Sequence, residues 1–481
     1  MRPKSYNPLD PILQIQPEAG KESLQMKEIL VRGVERTNES KLKNAFEETK
    51  KAKNLNELNE AISVGLERCS KLDVLNNLNV ILDTDENKNV VLVLDCKEKQ
   101  STRFSVGSTV NDKGQVKGEV SLGYRNLLGV ADRWDIDANF DKSGLTFVSR
   151  AFFPQSFNND GALYLSGYLL GSRRITNLLQ EKSNGVSVRA EINDRHTISY
   201  DFELRRNEDV NAIFRKASSS GSFNRFFSSF FNTKTQESEP VLDHDDSHVK
   251  SQVWTEVRER SVKSSLSHIY RYDTRDSAAT PSQGAFFKLV HRLAGLGGDV
   301  KHYSVDMNGE VFVPLITDTL TAALKLNIGT IVPLDRQNDT FISLNDRFVE
   351  NVRGFPAVGL VHPRSEEVYG GNVKALATGR LVFPFPISFL HQLLGLHCQA
   401  FFDAGNVANL NDYSEKGIQE FKEEFSKGLH TSFGFGLAMM LSFGRIEFNF
   451  AKPSTLFNGT SNLPPTLQNF KQFSVNFVYN E

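Results

Sequence analysis

Beyond Arg103 the chain alternates apolar and polar positions in segments of about nine to eleven residues, punctuated by Gly, Asn and Asp. This is the rhythm of tilted strands that cross a bilayer with one face in lipid. The clearest segments are Phe104–Val110, Val116–Tyr124, Arg133–Phe140, Leu145–Phe153, Ala162–Leu170, Val186–Ile192, Thr197–Leu204 and Val262–Tyr272. Ala285–Leu293, Tyr303–Phe312, Leu320–Ile328, Val373–Val382, His397–Asp403, Ser432–Met440, Arg445–Phe450 and Phe473–Tyr479 continue the series. The pattern predicts an all-β transmembrane barrel of about sixteen antiparallel strands over residues 101–481, an even number as in most such barrels.

Ahead of the strands the period changes. Residues 1–25 hold Pro3, Pro8, Pro11, Pro17 and Gly20 without a sustained period and read as an N-terminal arm. Residues 26–98 read as a small α+β domain. Ile29-Leu30-Val31 makes a strand, Leu42, Ala45 and Phe46 a first helical stripe, and Leu55, Leu58, Ile62 and Leu66 a second. Val74–Asp83 and Val90–Asp95 follow as two strands, giving the order βααββ.

Two long stretches interrupt the strand series, Asn207 to Glu259 and Pro333 to Gly371; loops of this length are uncommon without a function. The first is polar and Ser-rich. Its Asp243-His244-Asp245-Asp246-Ser247-His248 run reads as solvated loop rather than as a metal site, since nothing around it would orient the ligands. A third stretch, Leu381 to Phe402, has no charged residue and is long enough for a membrane helix. Pro384, Pro386 and the polar residues His391, Gln392, His397 and Gln399 fit two strand ends joined by an apolar connection better.

Composition narrows the chemistry. Lys+Arg number 56 against 58 Asp+Glu, so no basic surface points to nucleic acid. Mean hydropathy is −0.35, which resembles a soluble protein, but barrel strands carry a weak hydropathy signal. Phe is frequent, at 36 residues, as suits strands and membrane interfaces. The three cysteines, Cys69, Cys96 and Cys398, lie far apart without a CxxC pair, so neither zinc nor a disulfide framework is indicated. GxxxxGK[ST], HExxH and GxSxG patterns are absent, so no enzyme activity, cofactor or metal is expected. Met1-Arg2-Pro3-Lys4-Ser5 lacks the apolar core of a secretory signal, and no Arg-rich amphipathic pattern precedes Asp10. For an outer-membrane barrel this favours synthesis in a eukaryotic cytosol.

Two motifs carry a single charge each in apolar, glycine-containing surroundings: Asn351-Val352-Arg353-Gly354-Phe355-Pro356 and Phe401-Phe402-Asp403-Ala404-Gly405-Asn406. They resemble the inward-folded loop and the facing strand of the outer-membrane β-barrel assembly insertase superfamily. Four more stretches match in family order: Asn126-Leu127-Leu128-Gly129; Asp273-Thr274-Arg275-Asp276 with Pro281 and Gly284; Tyr369-Gly370-Gly371-Asn372 with Arg380-Leu381-Val382-Phe383-Pro384; and Gly434, Gly436 and Gly444-Arg445-Ile446-Glu447-Phe448. The βααββ domain placed before the barrel resembles a polypeptide-transport-associated (POTRA) domain. One such domain, the length and the missing signal peptide resemble the core subunits of the mitochondrial sorting and assembly machinery; chloroplast-envelope members are the neighbouring branch.

The resemblance implies a membrane insertase that folds β-barrel precursor proteins into the mitochondrial outer membrane. It implies accessory subunits and membrane lipids as further partners, and an N-terminal domain in the intermembrane space. It implies that the loop bearing Val352, Arg353, Gly354 and Phe355 enters the lumen, with Arg353 on Asp403 and Gly405 in the same wall motif. It also implies a lateral gate between the first strand (Phe104, Gly107, Val110) and the last (Ser474, Phe477, Tyr479). Gln472, Ser474, Phe477 and Tyr479 also fit the mitochondrial β-signal, with serine where that pattern has glycine; an ordinary amphipathic strand has the same alternation. Two other classes stand beside this one: a protein-conducting or solute channel of an organelle outer membrane, and a soluble enzyme of mixed fold.

Overall fold

The computed structural model describes residues 26–84, 90–110, 116–141, 144–156, 161–174, 179–193, 195–209, 257–277, 280–316, 320–334, 342–355, 360–361, 368–409, 418–441, 444–454 and 473–479. The arm at 1–25, the Asp243–His248 run with most of its loop, Pro356 and Gln472 lie outside the described residues.

The N-terminal unit begins with β1 (Met26–Arg32), α1 (Glu39–Ala45), a 3-10 turn at Glu47–Lys51 and α2 (Leu55–Leu72). It ends with β2 (Leu75–Thr84) and β3 (Val90–Glu98). Asn54 starts α2 by accepting from the Glu57 backbone N–H at 2.9 Å, while Glu57 reaches back to the Lys53 N–H at 2.9 Å. The Asn54 side chain satisfies a donor that the first turn leaves open, and Glu57 fixes the chain that enters the helix. The helix runs one and a half turns past Leu66, because Cys69 and Leu72 continue its buried stripe, and stops where Asp73 turns left-handed. The three strands order β1-β3-β2, with β1 parallel and β2 antiparallel to the central β3. Leu42, Phe46, Leu58, Leu92 and Leu94 form the sealed core between helices and sheet. A Cβ on Gly65 would stand 2.3 Å from the Phe46 ring, so only glycine lets that ring lie on α2.

Cys69 and Cys96 belong to this core as free thiols. Burial, then the neighbouring Cys96, pushes the Cys69 thiol up to about 12; burial, then Asp95 and Glu98, pushes Cys96 up to about 11. Thiolate is the reactive form, so both should resist alkylation in the folded protein. In a mass-spectrometric assay at neutral pH, modification of either should stay below about a tenth of that in denaturant. Equal labelling in both conditions would show that this core is open.

The remaining strands form one sheet. Its first half is β4 (Thr102–Val110), β5 (Val116–Arg125), β6 (Arg133–Asp141), β7 (Gly144–Pro154), β8 (Ala162–Arg174), β9 (Leu179–Ile192), β10 (His196–Asp209) and β11 (Arg260–Asp273). It continues through β12 (Gly284–Ala294), β13 (His302–Ile316) and β14 (Leu320–Pro333). A two-strand ladder of β15 (Leu360–Val361) and β16 (Val368–Gly370) stands apart, then come β17 (Val373–Pro384), β18 (His397–Ala408), β19 (His430–Leu441), β20 (Gly444–Ser454) and β21 (Phe473–Tyr479). The sheet has 16 strands, each paired with its neighbours in chain order, and β4 and β21 are its two ends. Among the described residues no ladder joins those ends.

Every strand expected from the alternation is a strand of this sheet, and several are longer. β9 begins at Leu179 rather than Val186, and β10 continues to Asp209, pairing Lys182 with Arg206 and Glu181 with Asn207. Backbone ladders need no apolar side chains, so pairing continues where the alternation that marks a lipid face has ended. In β10 the odd positions, Thr197, Ser199, Asp201, Glu203, Arg205 and Asn207, are polar. The even positions Ile198, Tyr200 and Leu204 are apolar and exposed. The same exposed apolar face carries Phe104, Leu122, Ile136, Val186, Val311, Leu324, Phe402, Phe433 and Phe435. Among the described residues no helix is long and apolar enough to cross a membrane; the charge-free stretch from Leu381 is the end of β17, a short helix at Ser388–Leu394 and the start of β18.

The Asn126-Leu127-Leu128-Gly129 turn joins β5 to β6 and receives the N-terminal unit. Asn126 Nδ2 donates to Thr37 Oγ1 at 2.7 Å, and Thr37 Oγ1 donates to Glu98 Oε1 at 2.6 Å. Asn38 N donates to Gly129 O at 2.7 Å. Gly129 has φ +78, and a Cβ there would lie 2.8 Å from Arg36 O. Burial alone would raise the Glu98 pKa, but hydrogen bonds from Thr37 and Arg36 hold it below the usual range, as an ionised acceptor should be.

Candidate functional site

The site lies on the polar face of the large sheet, where the described loop Ile342–Phe355 crosses it. The loop enters the strand pattern once: Phe348 and Gly371 exchange backbone hydrogen bonds at 2.8 and 3.0 Å. This explains the paired glycines that precede β17. Gly370 has φ +64, and a Cβ on Gly371 would stand 2.3 Å from Ala408 O. A Cβ on Gly370 would stand 2.3 Å from Phe348 O and push the loop off the sheet, while one on Gly371 would press on the end of β18.

At its C-terminal end the loop delivers Arg353 to β18. Nε donates to Asp403 Oδ2 at 2.6 Å and Nη2 to Asp403 Oδ1 at 2.7 Å. The two side chains are 13% and 5% exposed. The guanidinium carbon also sits 3.5 Å from the centroid of the Phe401 ring. Phe401 and Asp403 share the buried face of β18 because they are two residues apart, while Ala400 and Phe402 face outward. One strand thus offers the arginine a carboxylate fork and an aromatic face together, which a lysine would not use in the same way. Val352 and Phe355 flank the arginine and pack with Val407. Phe355 meets His430 edge to face at 5.0 Å. Gly354 takes φ +90, turning the chain beside Ala451 and Pro453. Gly405 lies where a Cβ would press to 2.8 Å from Leu376.

The loop has two further attachments that the motif pattern did not reveal. Asp346, 3% exposed, accepts two hydrogen bonds from Arg205 Nη1 of β10, both at 3.0 Å, and one from Lys263 Nζ of β11 at 2.5 Å. Arg205 and Lys263 are themselves 7% and 8% exposed. The adjacent Asn345 donates to Glu181 of β9 and, at 2.8 Å, to Asn207 of β10. Burial opposes ionisation of Asp346, but Lys263 and then Arg205 override it and hold its carboxyl well below the usual range. Midway, Glu350 accepts from Lys374 of β17 at 2.7 Å, and Lys374 lies 4.6 Å from the Phe348 ring. The loop therefore ties β9–β11 to β17 and β18, although β12, β13 and β14 lie between them in the sheet. Arg205 and Lys263 sit at the polar positions of their strands, which marks their face. Their partner is remote in sequence, so no local pattern could reveal it.

The Asp273-Thr274-Arg275-Asp276 motif closes on itself. Arg275 binds Asp273 at 2.8 Å through both Nε and Nη2, and Asp276 gathers Ser277, Ser282 and Gln283 into the β11–β12 turn. Arg275 also reaches beyond the turn, to Glu310 of β13 at 3.7 Å and over the Phe286 ring at 4.5 Å. Among the described residues no three His, Cys, Asp or Glu side chains converge as a metal site would require.

Residues 126–474 match the model of the Omp85 superfamily domain. The chain belongs to the Omp85 superfamily. Among Omp85-related proteins it is similar to the sorting and assembly machinery component 50 homolog B of Xenopus laevis, with 27% identity over 474 residues, covering 93% of this chain and 91% of that one. The sorting and assembly machinery component 50 homolog of Bos taurus is 27% identical over 465 residues, covering 92% and 89%. The crystal structure of BamA from Haemophilus ducreyi lacking POTRA domains 1–3 shares the fold, with TM-score 0.67 at 15% identity, covering 94% of this chain and 84% of that one.

The expected gate residues fall at the two ends of the sheet. Phe104 on β4 is exposed, and a Cβ on Gly107 would meet nothing within 4 Å. Val110 ends β4, paired with Val116. Ser474, Phe477 and Tyr479 on β21 pair with Asn449, Ile446 and Gly444 of β20.

Proposed function

We propose that this chain is a membrane insertase for β-barrel precursor proteins, working in the mitochondrial outer membrane as the core of a sorting and assembly complex. The observation that carries the reading is the clamped loop: a buried bidentate ion pair, Arg353 on Asp403, lies on the polar face of a sheet whose opposite face is apolar and exposed. A sheet with that division of faces is built for lipid outside and a polar interior. Its ends, β4 and β21, would leave backbone donors and acceptors in hydrocarbon at several kcal/mol each unless they pair. Closure of β4 on β21 into a barrel satisfies them. The resulting seam is weak, since β21 has 7 residues and β4 has 9 against 14 in β10.

In this reading residues 26–98 are a POTRA domain, and the short seam opens as a lateral gate. A precursor's terminal strand pairs with freed β4, so its backbone groups pass from one ladder to another without meeting bare lipid. The step breaks and makes hydrogen bonds only. Burial of the client's apolar face drives it. The loop holds the interior wall in register while the seam exchanges partners.

Cysteine pairs across the seam test this, with Ser105 or Thr109 of β4 against Val475 or Phe477 of β21. Oxidation should join one register of pairs and stop assembly of client barrels, with recovery on reduction. Full activity of the crosslinked protein would remove lateral opening from the mechanism. Conditional depletion addresses the broader reading: assembled client barrels should be lost, whereas a channel's depletion would impair only transport.

A further inference from the structure

The connection between β17 and β18 presents an apolar surface that neither the loop nor the seam uses. Phe385 N donates to Leu396 O at 3.1 Å and closes its base. The connection holds the helix Ser388–Leu394, which ends at Gly395 with φ +60. Polar rings turn back onto the connection itself: His391 Nδ1 lies 2.8 Å from Leu396 O and His397 Nδ1 lies 2.9 Å from Gly395 O. The two imidazoles meet edge to face at 4.8 Å. Among the described residues the large apolar side chains Ile387, Phe389, Leu393 and Leu394 face outward, beside Pro386 and Ser388. Phe389 and Leu393 are four apart on one helix face, 67% and 65% exposed.

We propose that this connection is an interfacial membrane anchor whose occupant is phospholipid of the leaflet on the N-terminal unit's side. The apolar surface continues directly from the exposed face of the sheet, through Leu381 and Phe383 on β17 to Phe402 on β18 and Phe435 on β19. Strand direction alternates along the sheet, so this connection and the Asn126–Gly129 turn that receives the N-terminal unit open at the same end. From Leu381 to Phe402 there is no charged side chain, so a protein partner would find no ionic contact to fix its register. Lipid asks for none. A short amphipathic segment of this kind seats its apolar face about 5–10 Å into the headgroup–acyl boundary. The inference rests on the reading of the sheet as a membrane barrel, and its test separates the two.

The test places an environment-sensitive fluorophore at Phe389→Cys or Leu393→Cys in the full chain, reconstituted in phosphatidylcholine–phosphatidylethanolamine vesicles. Cys398 is replaced by Ser, and the buried Cys69 and Cys96 stay unlabelled. Phe435→Cys reports the outward face of the sheet, and Lys50→Cys reports an exposed site of the N-terminal unit. Lipids with a nitroxide near the headgroup should quench positions 389 and 393 roughly twofold or more, with aqueous iodide ineffective, as expected for the boundary region. Lys50→Cys should show the reverse. Iodide quenching at 389 and 393, or shielding from both quenchers, with Phe435→Cys still quenched by lipid, would overturn the anchor and leave the barrel intact. Loss of lipid quenching at Phe435→Cys as well would overturn the barrel reading.

Discussion

Replacing Asp346 by asparagine is expected to destabilise the folded protein by about 3–5 kcal/mol, because it takes the carboxylate from buried Lys263 and leaves Arg205 to Glu203 and Glu181. Arg205 and Lys263 converge on this single carboxylate at 3.0 and 2.5 Å, and all three side chains are nearly sealed from solvent. Unfolding midpoints in detergent would show the loss, and proteolysis within Ile342–Phe355 should accelerate. Asp346→Asn combined with Lys263→Met should recover part of the stability, since the second change removes the surplus buried charge. A double variant no better than the single would mean that the cost comes from altered packing and not from unmatched charge. The pH dependence has a definite sign. The folded-state pKa of Asp346 lies below the ordinary value of about 3.9, so its stabilisation is complete at neutral pH and lost only as pH falls through the depressed folded value. Mild acidification to about pH 5 should leave the loop attached.

Arg353→Ala and Asp403→Ala should each impair client assembly more than the membrane insertion of the protein itself. The pair is bidentate, at 2.6 and 2.7 Å, and lies on an aromatic face, so removing one member leaves the other partly buried and unmatched. The expected cost is about 3–5 kcal/mol for either single change, against about 0–1 kcal/mol had the pair been exposed. Arg353→Lys should recover only part of the function, since a point charge cannot reproduce the fork or the stacking. The double alanine variant should be less defective than the sum of the singles, with a coupling of about 0.5–3 kcal/mol. Assembly of a radiolabelled precursor into isolated membranes gives the measurement. Fully additive effects would mean that Arg353 and Asp403 act independently.

These two variants also separate two roles for the loop. Asp346 binds the wall of β10 and β11, and Arg353 binds β18. A pure brace predicts that client assembly falls in proportion to stability at both ends. A loop that also governs the seam predicts a larger assembly defect at Arg353 for the same loss of stability, because β18 stands three strands from β21.

The strands were legible in the chain because a sheet with one apolar and one polar face imposes a period of two that survives without any partner in view. His196 to Asn207 shows it in one line: apolar residues at Ile198, Tyr200, Phe202 and Leu204, polar ones at Ser199, Asp201, Glu203 and Arg205. The helices of the N-terminal unit were legible for a similar local reason, apolar stripes at three-to-four spacing. The approach of Arg353 to Asp403 came from a resemblance of motifs; no local pattern joins residues fifty apart. The attachments of Asp346 and Glu350 escaped for the same reason. A lone charge in a loop looks solvated until the fold brings Arg205, Lys263 or Lys374 to it, and those lysines and arginine look like ordinary polar-face residues. Alternation depends on which side of a strand a residue faces, which neighbouring residues encode. Pairing across the polar face depends on the curvature and stagger of many strands at once, and arises only when β9–β11 and β17–β18 are brought to the same loop.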